Sequence, residues 1–181
     1  MKSIHLGKLF GLQISVLPLA FAGMFILWIG FSSIAFYGLN IPFGESILIG
    51  LTATLLHWTF ELIHGLGHAY AAKRTGYPMI GITFGTLAIF ALTHYPKDEP
   101  DLPPSVHIRR ALGGPIINGL LSIIFYLLLP LWRGNWFWLG MFALFENLFV
   151  YTLQVFIPLG FNDGSTILKN LRKMYSQKDV E

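Results

Sequence analysis

Residues 46–74 read SILIGLTATLLHWTFELIHGLGHAYAAKR, and this stretch decides the class of fold. Glu61 is its only acidic residue, and no basic residue occurs in it before Lys73 and Arg74. A membrane span needs about 20 predominantly apolar residues. The stretch is therefore long enough for a transmembrane helix that ends at a basic boundary.

The composition of the whole chain agrees with a membrane protein. Hydrophobic residues make up 54% of the 181 residues and charged residues only 12%, whereas soluble domains carry about 25% charged residues. The chain has no cysteine, which excludes disulfide scaffolds, thiolate metal sites and cysteine nucleophiles. Its basic residues do not alternate with aromatic residues, so the lipid bilayer and not nucleic acid is the expected partner.

Apolar segments along the chain predict an all-α polytopic membrane protein with four transmembrane helices. Between Lys8 and Glu45 the sequence has no charged residue, and this run contains the first predicted helix. We predict the four helices at about 14–38, 46–74, 106–131 and 136–158. A short amphipathic segment at 165–175 follows the last span.

Residues 77–95 decide how many times the chain crosses the membrane. The segment is apolar, but Pro78, Gly81 and Gly85 interrupt it. With four spans, eleven of the twelve basic residues lie on one face and only Arg133 lies opposite. The positive-inside rule therefore favours four spans with both termini cytoplasmic. Residues 77–95 then form a re-entrant, β-like hairpin shielded by the helices.

The domain prediction follows from these spans. Residues 1–181 form a single membrane domain, with an extra N-terminal transmembrane helix in 1–45 and a core in 46–168. A basic cytoplasmic tail occupies 169–181. We expect an integral protein of the prokaryotic cytoplasmic membrane.

Four ionisable residues share one stripe of the second helix, within an arc of roughly 60° at about 100° per residue: His57, Glu61, His64 and His68. Ionisable groups inside a transmembrane helix are costly, and such residues are functional candidates. Histidines one turn apart, such as His64 and His68, have the spacing that lets two imidazoles share one Zn²⁺. The alternative is a pair of polar residues that only pack between helices.

Two histidines do not complete a metal site, and Asp163 is the best candidate for a third ligand. It lies six residues before Lys169, while His68 lies five residues before Lys73. Both are therefore within about 10 Å of the same boundary at a 1.5 Å helical rise. The alternative is that Asp163 is an ordinary residue of an Asn-Asp-Gly turn.

Three motifs together resemble the site-2 protease family of intramembrane zinc proteases. The segment 63–69, with the basic residues and glycine that follow, is similar to that family's metal helix, whose pattern is His-Glu-x-Gly-His-Ala. The segment 114–118 is similar to its Gly-Pro-x-x-Asn motif. The segment 158–164 is similar to the element that supplies its Asp-Gly ligand. All three occur in the family's order within residues 46–168.

The resemblance implies a site-2-protease-like core with one Zn²⁺ as cofactor. By position in the motifs, His64, His68 and Asp163 are the metal ligands. Asn118 matches the asparagine that faces the substrate in the family.

Gly65 departs from the family pattern at the residue on which peptidase activity depends. In the family this position holds the glutamate that acts as general base. Asn162 also replaces the usual leucine before the aspartate. Three roles fit Glu61, which lies deeper on the same stripe: an acceptor for an imidazole N–H, a further metal ligand, or a relocated base. The alternative is a plain polar packing contact.

A row of small residues runs beside the histidines: Gly65, Ala69, Ala72 and Gly76. Such a row lets transmembrane helices approach closely. It either packs inside the protein or binds transmembrane helices of a substrate or partner subunit.

Three functions remain open at this stage. The first is a peptidase-impaired, site-2-protease-like metalloprotein that acts as a metal-binding or partner-binding subunit. The second is an active intramembrane zinc metalloprotease with Glu61 or another group as base. The third is a carrier of metal ions or protons, which the sequence disfavours because residues 47–56 offer only two polar side chains.

Cysteine labelling tests the predicted topology without background, since the chain has no native cysteine. Four spans place residues 97–108 in the cytoplasm, so Ser105→Cys should react with a membrane-impermeant thiol reagent only from the cytoplasmic side. Arg133→Cys is the matched control and should react from the outer side. Labelling of Ser105→Cys from the outer side would restore a fifth span.

Overall fold

Four helices in the described part of the chain are long and apolar enough to cross a membrane. The computed structural model describes residues 2–178, with side chains through residue 176. The four spans are Leu19–Gly38, Phe43–Arg74, Pro104–Leu131 and Gly134–Phe156. The chain is therefore an integral membrane protein, as its composition predicted. The last three residues of the predicted tail lie outside the described residues.

The regular elements follow one another in a simple order. The strands are β1 (Ile4–Leu9), β2 (Leu12–Val16), β3 (Gly81–Thr86) and β4 (Phe90–His94). The α-helices are α1 (Leu19–Ser33), α2 (Phe43–Arg74), α3 (Pro104–Leu128), α4 (Phe137–Phe145) and α5 (Asp163–Lys178). Wider π-helical turns extend α1 over Ile34–Gly38 and α4 over Glu146–Thr152.

The N-terminal residues correct two predictions, because the fold is not all-α and the first helix does not begin at residue 14. Residues 4–16 instead form the antiparallel pair β1–β2. Phe10 and Gly11 connect the strands with φ angles of 51° and 85°. Two consecutive positive φ angles are typical of the two-residue turns that join β-hairpins.

The four strands form one sheet in the order β1-β2-β3-β4, in which β2 and β3 run parallel. Residues 77–95 contribute β3 and β4 as an antiparallel pair, so the predicted hairpin is present and has β structure. A buried apolar cluster joins the sheet to α2: Leu12, Ala72, Met79, Ile82 and Phe84. The fold is thus mostly helical, with a small sheet packed on one end of the second span.

The tip of the β3–β4 hairpin lies against α1 and α2. A Cβ atom at Gly23 of α1 would lie only 1.9 Å from the carbonyl oxygen of Ala88. The carbonyl oxygen of Ile89 accepts a hydrogen bond from Nε2 of His57 at 2.8 Å. The hairpin is therefore anchored to two of the four apolar helices, and its depth in the bilayer stays a prediction.

Helices α2 and α3 touch backbone to backbone. A Cβ atom at Gly67 would lie 2.5 Å from the carbonyl oxygen of Gly113, and one at Gly113 would lie 2.4 Å from the carbonyl oxygen of Gly67. Only glycine fits at either position, as in other close helix pairs in membranes. This contact brings the first half of α3 against the histidines of α2.

Candidate metal centre

The structure brings the side chains of His64, His68 and Asp163 together. The two Nε2 atoms are 3.0 Å apart. Nε2 of His64 lies 3.2 Å from Oδ2 of Asp163, and Nε2 of His68 lies 3.3 Å from Oδ1. The three side chains are 12%, 8% and 15% exposed, respectively. They form a largely buried group that could hold a metal ion.

The nitrogen of His64 that points away from Asp163 is held by a pair of asparagines. Nδ1 of His64 lies 3.1 Å from Oδ1 of Asn118, and Nδ2 of Asn118 donates to Oδ1 of Asn147 at 2.7 Å. Asn147 in turn donates to the carbonyl oxygen of Ala143, so the orientation of both amides is determined. Nδ1 of His64 therefore carries the hydrogen and Nε2 faces the site with its lone pair.

The side chain of Asn118 lies behind the candidate ligand His64. It is 0% exposed and is bonded to His64 and Asn147. It orients a candidate ligand, and its implied role toward a substrate stays a prediction.

His68 is oriented in the same way by a backbone group. Its Nδ1 lies 2.8 Å from the carbonyl oxygen of Arg110. A carbonyl only accepts, so Nδ1 is the donor and Nε2 is left with its lone pair. A longer approach of the Gly114 N–H to the same Nδ1, at 3.3 Å, is the weaker contact. Metal-binding histidines commonly donate their other N–H to such acceptors.

When both imidazoles are neutral, three acceptors thus face one another with no donor between them. Two lone pairs and a carboxylate at this separation repel unless a cation lies between them. Four ligands arranged tetrahedrally at a Zn–N distance of about 2.0–2.1 Å are about 3.3 Å apart. The observed separations of 3.0, 3.2 and 3.3 Å match that geometry. The donor set therefore fits one zinc ion.

Gly114 leaves room for such an ion. A Cβ atom at this position would lie 2.5 Å from Nε2 of His64 and 2.6 Å from Nε2 of His68. A methyl group there would intrude between the two lone pairs. The first glycine of the Gly-Pro motif thus keeps the centre open, which the sequence did not reveal.

Asp163 is positioned by the residue before it. Asn162 donates through Nδ2 to the carbonyl oxygen of Ile157, and its Oδ1 accepts from the N–H of Ser165 at the start of α5. This is the usual N-terminal cap of a helix. Burial alone would raise the pKa of Asp163, but histidines that carry a proton beside it outweigh burial and lower it. The carboxyl group is thus ionised next to a cation, as a metal ligand must be.

A cavity of about 320 Å³ lies beside these ligands. Residues of β4 form one wall, and Tyr151 and Gln154 of the fourth span form another. Glu61 and Gly65 of α2 also line it. The centre is therefore reachable from a space large enough for water or a short extended peptide segment.

Glu61 and Gly65 face this cavity in different ways. Oε2 of Glu61 accepts a hydrogen bond from the N–H of Ala91 at 2.9 Å. The imidazole N–H groups are already bound by Asn118 and the Arg110 carbonyl, so Glu61 does not act as their acceptor. A Cβ atom at Gly65 would lie 2.8 Å from Cδ1 of Ile82, a side chain that is 1% exposed. The chain's own sheet thus occupies the space beside Gly65.

His57 belongs to a separate polar cluster. Its Nδ1 lies 2.5 Å from Oε1 of Glu146, and the hydroxyl of Tyr151 lies 3.3 Å from the same nitrogen. Because Nε2 donates to Ile89, one proton is shared between His57 and Glu146. His57 is on the predicted stripe but does not join the metal group.

Sequence reasoning missed Asn147 and the Arg110 carbonyl. Asn147 had a weak signal, since it is a polar residue beside Glu146 in an apolar span. A backbone carbonyl has no signal in the sequence at all.

The fold is similar to that of a solved site-2 protease. The site-2 protease from Methanocaldococcus jannaschii superposes with a TM-score of 0.63 and 22% sequence identity, over 98% of this chain and 73% of that chain. At this identity the likeness shows the fold. A scan against protein-family models and a search of curated proteins gave no match.

Removing any one ligand should empty the centre. We expect about one zinc per chain in protein purified without chelator, and a loss of zinc in His64→Ala, His68→Ala and Asp163→Ala, because two ligands do not hold the ion. Elemental analysis measures both. His57→Ala is the matched control and should keep its zinc. Native protein without a transition metal would contradict the assignment.

A second variant tests the space between the ligands. Gly114→Ala should also abolish zinc binding although it removes no ligand, because its methyl group would lie within 2.6 Å of both Nε2 atoms. Gly119→Ala on the same helix is the control, since its Cβ would meet Thr152 at 3.4 Å. Equal zinc content in the two variants would show that the ion does not lie there.

Proposed function

We propose that the chain is an intramembrane zinc metalloprotein with a site-2 protease fold, and that the peptidase reaction typical of that family is impaired in it. The observation that carries the proposal is the convergence of two imidazole lone pairs and one carboxylate, with both outer imidazole nitrogens bound. His64, His68 and Asp163 would hold the ion. Zinc bound there would polarise a carbonyl group or lower the pKa of a water molecule.

The residue at position 65 supports the loss of peptidase activity. Gly65 has no group that takes a proton, and the buried side chain of Ile82 lies where a longer side chain would begin. General-base catalysis typically contributes 10²–10⁴-fold to a rate. Without it the centre retains metal binding as its main capacity.

The packing of the small-residue row bears on whether a helix of a partner subunit can bind there. Gly65 and Ala72 are buried against the sheet of the same chain. A helix of a partner subunit would need to displace β3 to reach them. We therefore favour a metal-binding role over docking of a partner along this row.

A second candidate function is an active protease with Glu61 as base. Glu61 is favoured because its side chain lines the same cavity as the three ligands. Against it, one carboxylate oxygen is held by the Ala91 N–H. The two functions differ in whether the native chain cleaves a substrate.

The proposed orientation has both termini and the centre toward the cytoplasm. The support is the distribution of basic residues, of which only Arg133 follows an odd number of spans. In this orientation the β3–β4 hairpin is re-entrant, since its tip meets His57 and Gly23 inside apolar helices.

Restoring a carboxylate at position 65 tests the proposal. Gly65→Glu combined with Ile82→Val, which makes room for the new side chain, should give weak, chelator-sensitive cleavage of a model transmembrane substrate. Gly65→Gln with Ile82→Val is the matched control and should be inactive, because it has the same size and no base. The measurement is the cleavage rate of reconstituted protein with and without chelator.

The native chain should show no metal-dependent cleavage in the same assay. If it cleaves and Glu61→Gln stops the reaction, Glu61 is the base and the second function is correct. If every variant holds zinc and none cleaves, the missing base is not what prevents the reaction, and the proposed cause of impairment is wrong.

A further inference from the structure

A groove of about 700 Å³ lies between α2 and α3, on the face of their contact that points away from the cavity beside the metal ligands. It exists because the two helices touch through Gly67 and Gly113, so that larger side chains on either side of the contact stand apart. Ile63, Leu66 and Leu120 are among the apolar residues of its walls.

Two arginines lie at one end of the groove. Arg74 ends α2 and Arg109 is in the second turn of α3; both line the groove and are exposed. Among the side chains described, through residue 176, neither forms an ion pair or a hydrogen bond. The neighbouring Arg110 differs, since Glu99 binds its guanidinium. Within the part of the chain whose side chains are described, the two positive charges at this end of the groove therefore have no counter-ion.

The length of the groove matches half of a bilayer. From Arg109 to Leu120, and from Arg74 back to Ile63, the helices advance eleven residues, which is roughly 16 Å at 1.5 Å per residue. The hydrocarbon region of one leaflet is about 15 Å thick, half of a ~30 Å core. The charged end is therefore at headgroup level when the apolar end is near the middle of the membrane.

We propose that this groove is a binding site for one phospholipid with a net negative headgroup. The phosphate and any further headgroup charge bind Arg74 and Arg109, and an acyl chain lies between α2 and α3. Basic clefts between transmembrane helices are known to select anionic lipids in this way. The site adjoins the backbone of Gly67 and Gly113, and hence the contact that brings His68 and Gly114 together, but it contains none of the candidate metal ligands.

Lipid titration followed by native mass spectrometry of the full-length protein tests the site. The probes are phosphatidylglycerol and phosphatidylcholine with identical acyl chains. We expect one phosphatidylglycerol to bind about thirtyfold more tightly than phosphatidylcholine, with Arg74→Gln and Arg109→Gln each removing about fivefold. The double variant should bind both lipids equally.

Two controls separate the groove from general surface charge and from misfolding. Lys73→Gln with Lys169→Gln removes the same charge from exposed positions outside the groove and should keep the preference. Leu120→Trp fills the groove and should weaken both lipids, whereas Leu127→Trp on the same helix should not. A circular dichroism spectrum with the helical content of the native protein shows that the variants are folded.

Two results would overturn the proposal. One is native protein that binds the two lipids with equal affinity. The other is a loss of preference in the lysine control as large as that in the arginine pair, since the attraction would then belong to the whole basic face.

Discussion

The contact between α2 and α3 has no room for side chains, and both the candidate metal centre and the groove depend on this contact. Gly67 and Gly113 meet backbone to backbone, and one residue further along each helix lie His68 and Gly114. Because the two helices are this close, the carbonyl oxygen of Arg110 in α3 lies 2.8 Å from Nδ1 of His68. A residue larger than glycine at the crossing would move this carbonyl away. The same glycines bring the helices together beside the metal ligands and leave a groove between them on the opposite face of the contact.

Much of the fold could be predicted from the sequence, and what was missed has a physical reason. The second, third and fourth spans follow from apolar runs that end at charges, prolines or glycines. The strand Leu12–Val16 was missed because it continues into the apolar first helix without a charged residue. Its parallel pairing with β3 joins segments almost 70 residues apart, and no local pattern encodes such a pairing. Residues 77–95 were recognised as a hairpin because the distribution of basic residues favours four spans and not five.

For the candidate centre too, one part could be predicted from the sequence and another could not. Helical spacing brings His64 and His68 together, and matched depth brings Asp163 to them, so helical periodicity and depth were enough to predict that these three side chains meet. The groups that orient the ligands come from other helices: Asn118 and Asn147 for one imidazole, a carbonyl oxygen for the other. Their positions depend on how α3 and the fourth span pack on α2. Tertiary contacts of this kind cannot be read from one helix.

Gly65 connects the question of activity with the position of the sheet. Because it has no side chain, Ile82 packs directly on α2, and β3 is held close to the helix. β4 is paired with β3, and the N–H of its residue Ala91 donates to the carboxylate of Glu61. A longer residue at position 65 would push the sheet outward and loosen that hydrogen bond. The residue at position 65 therefore determines whether that position has a base. It also determines how free Glu61 is to act as the base. The two candidate functions are thus coupled through a single packing contact, that of Gly65 with Ile82.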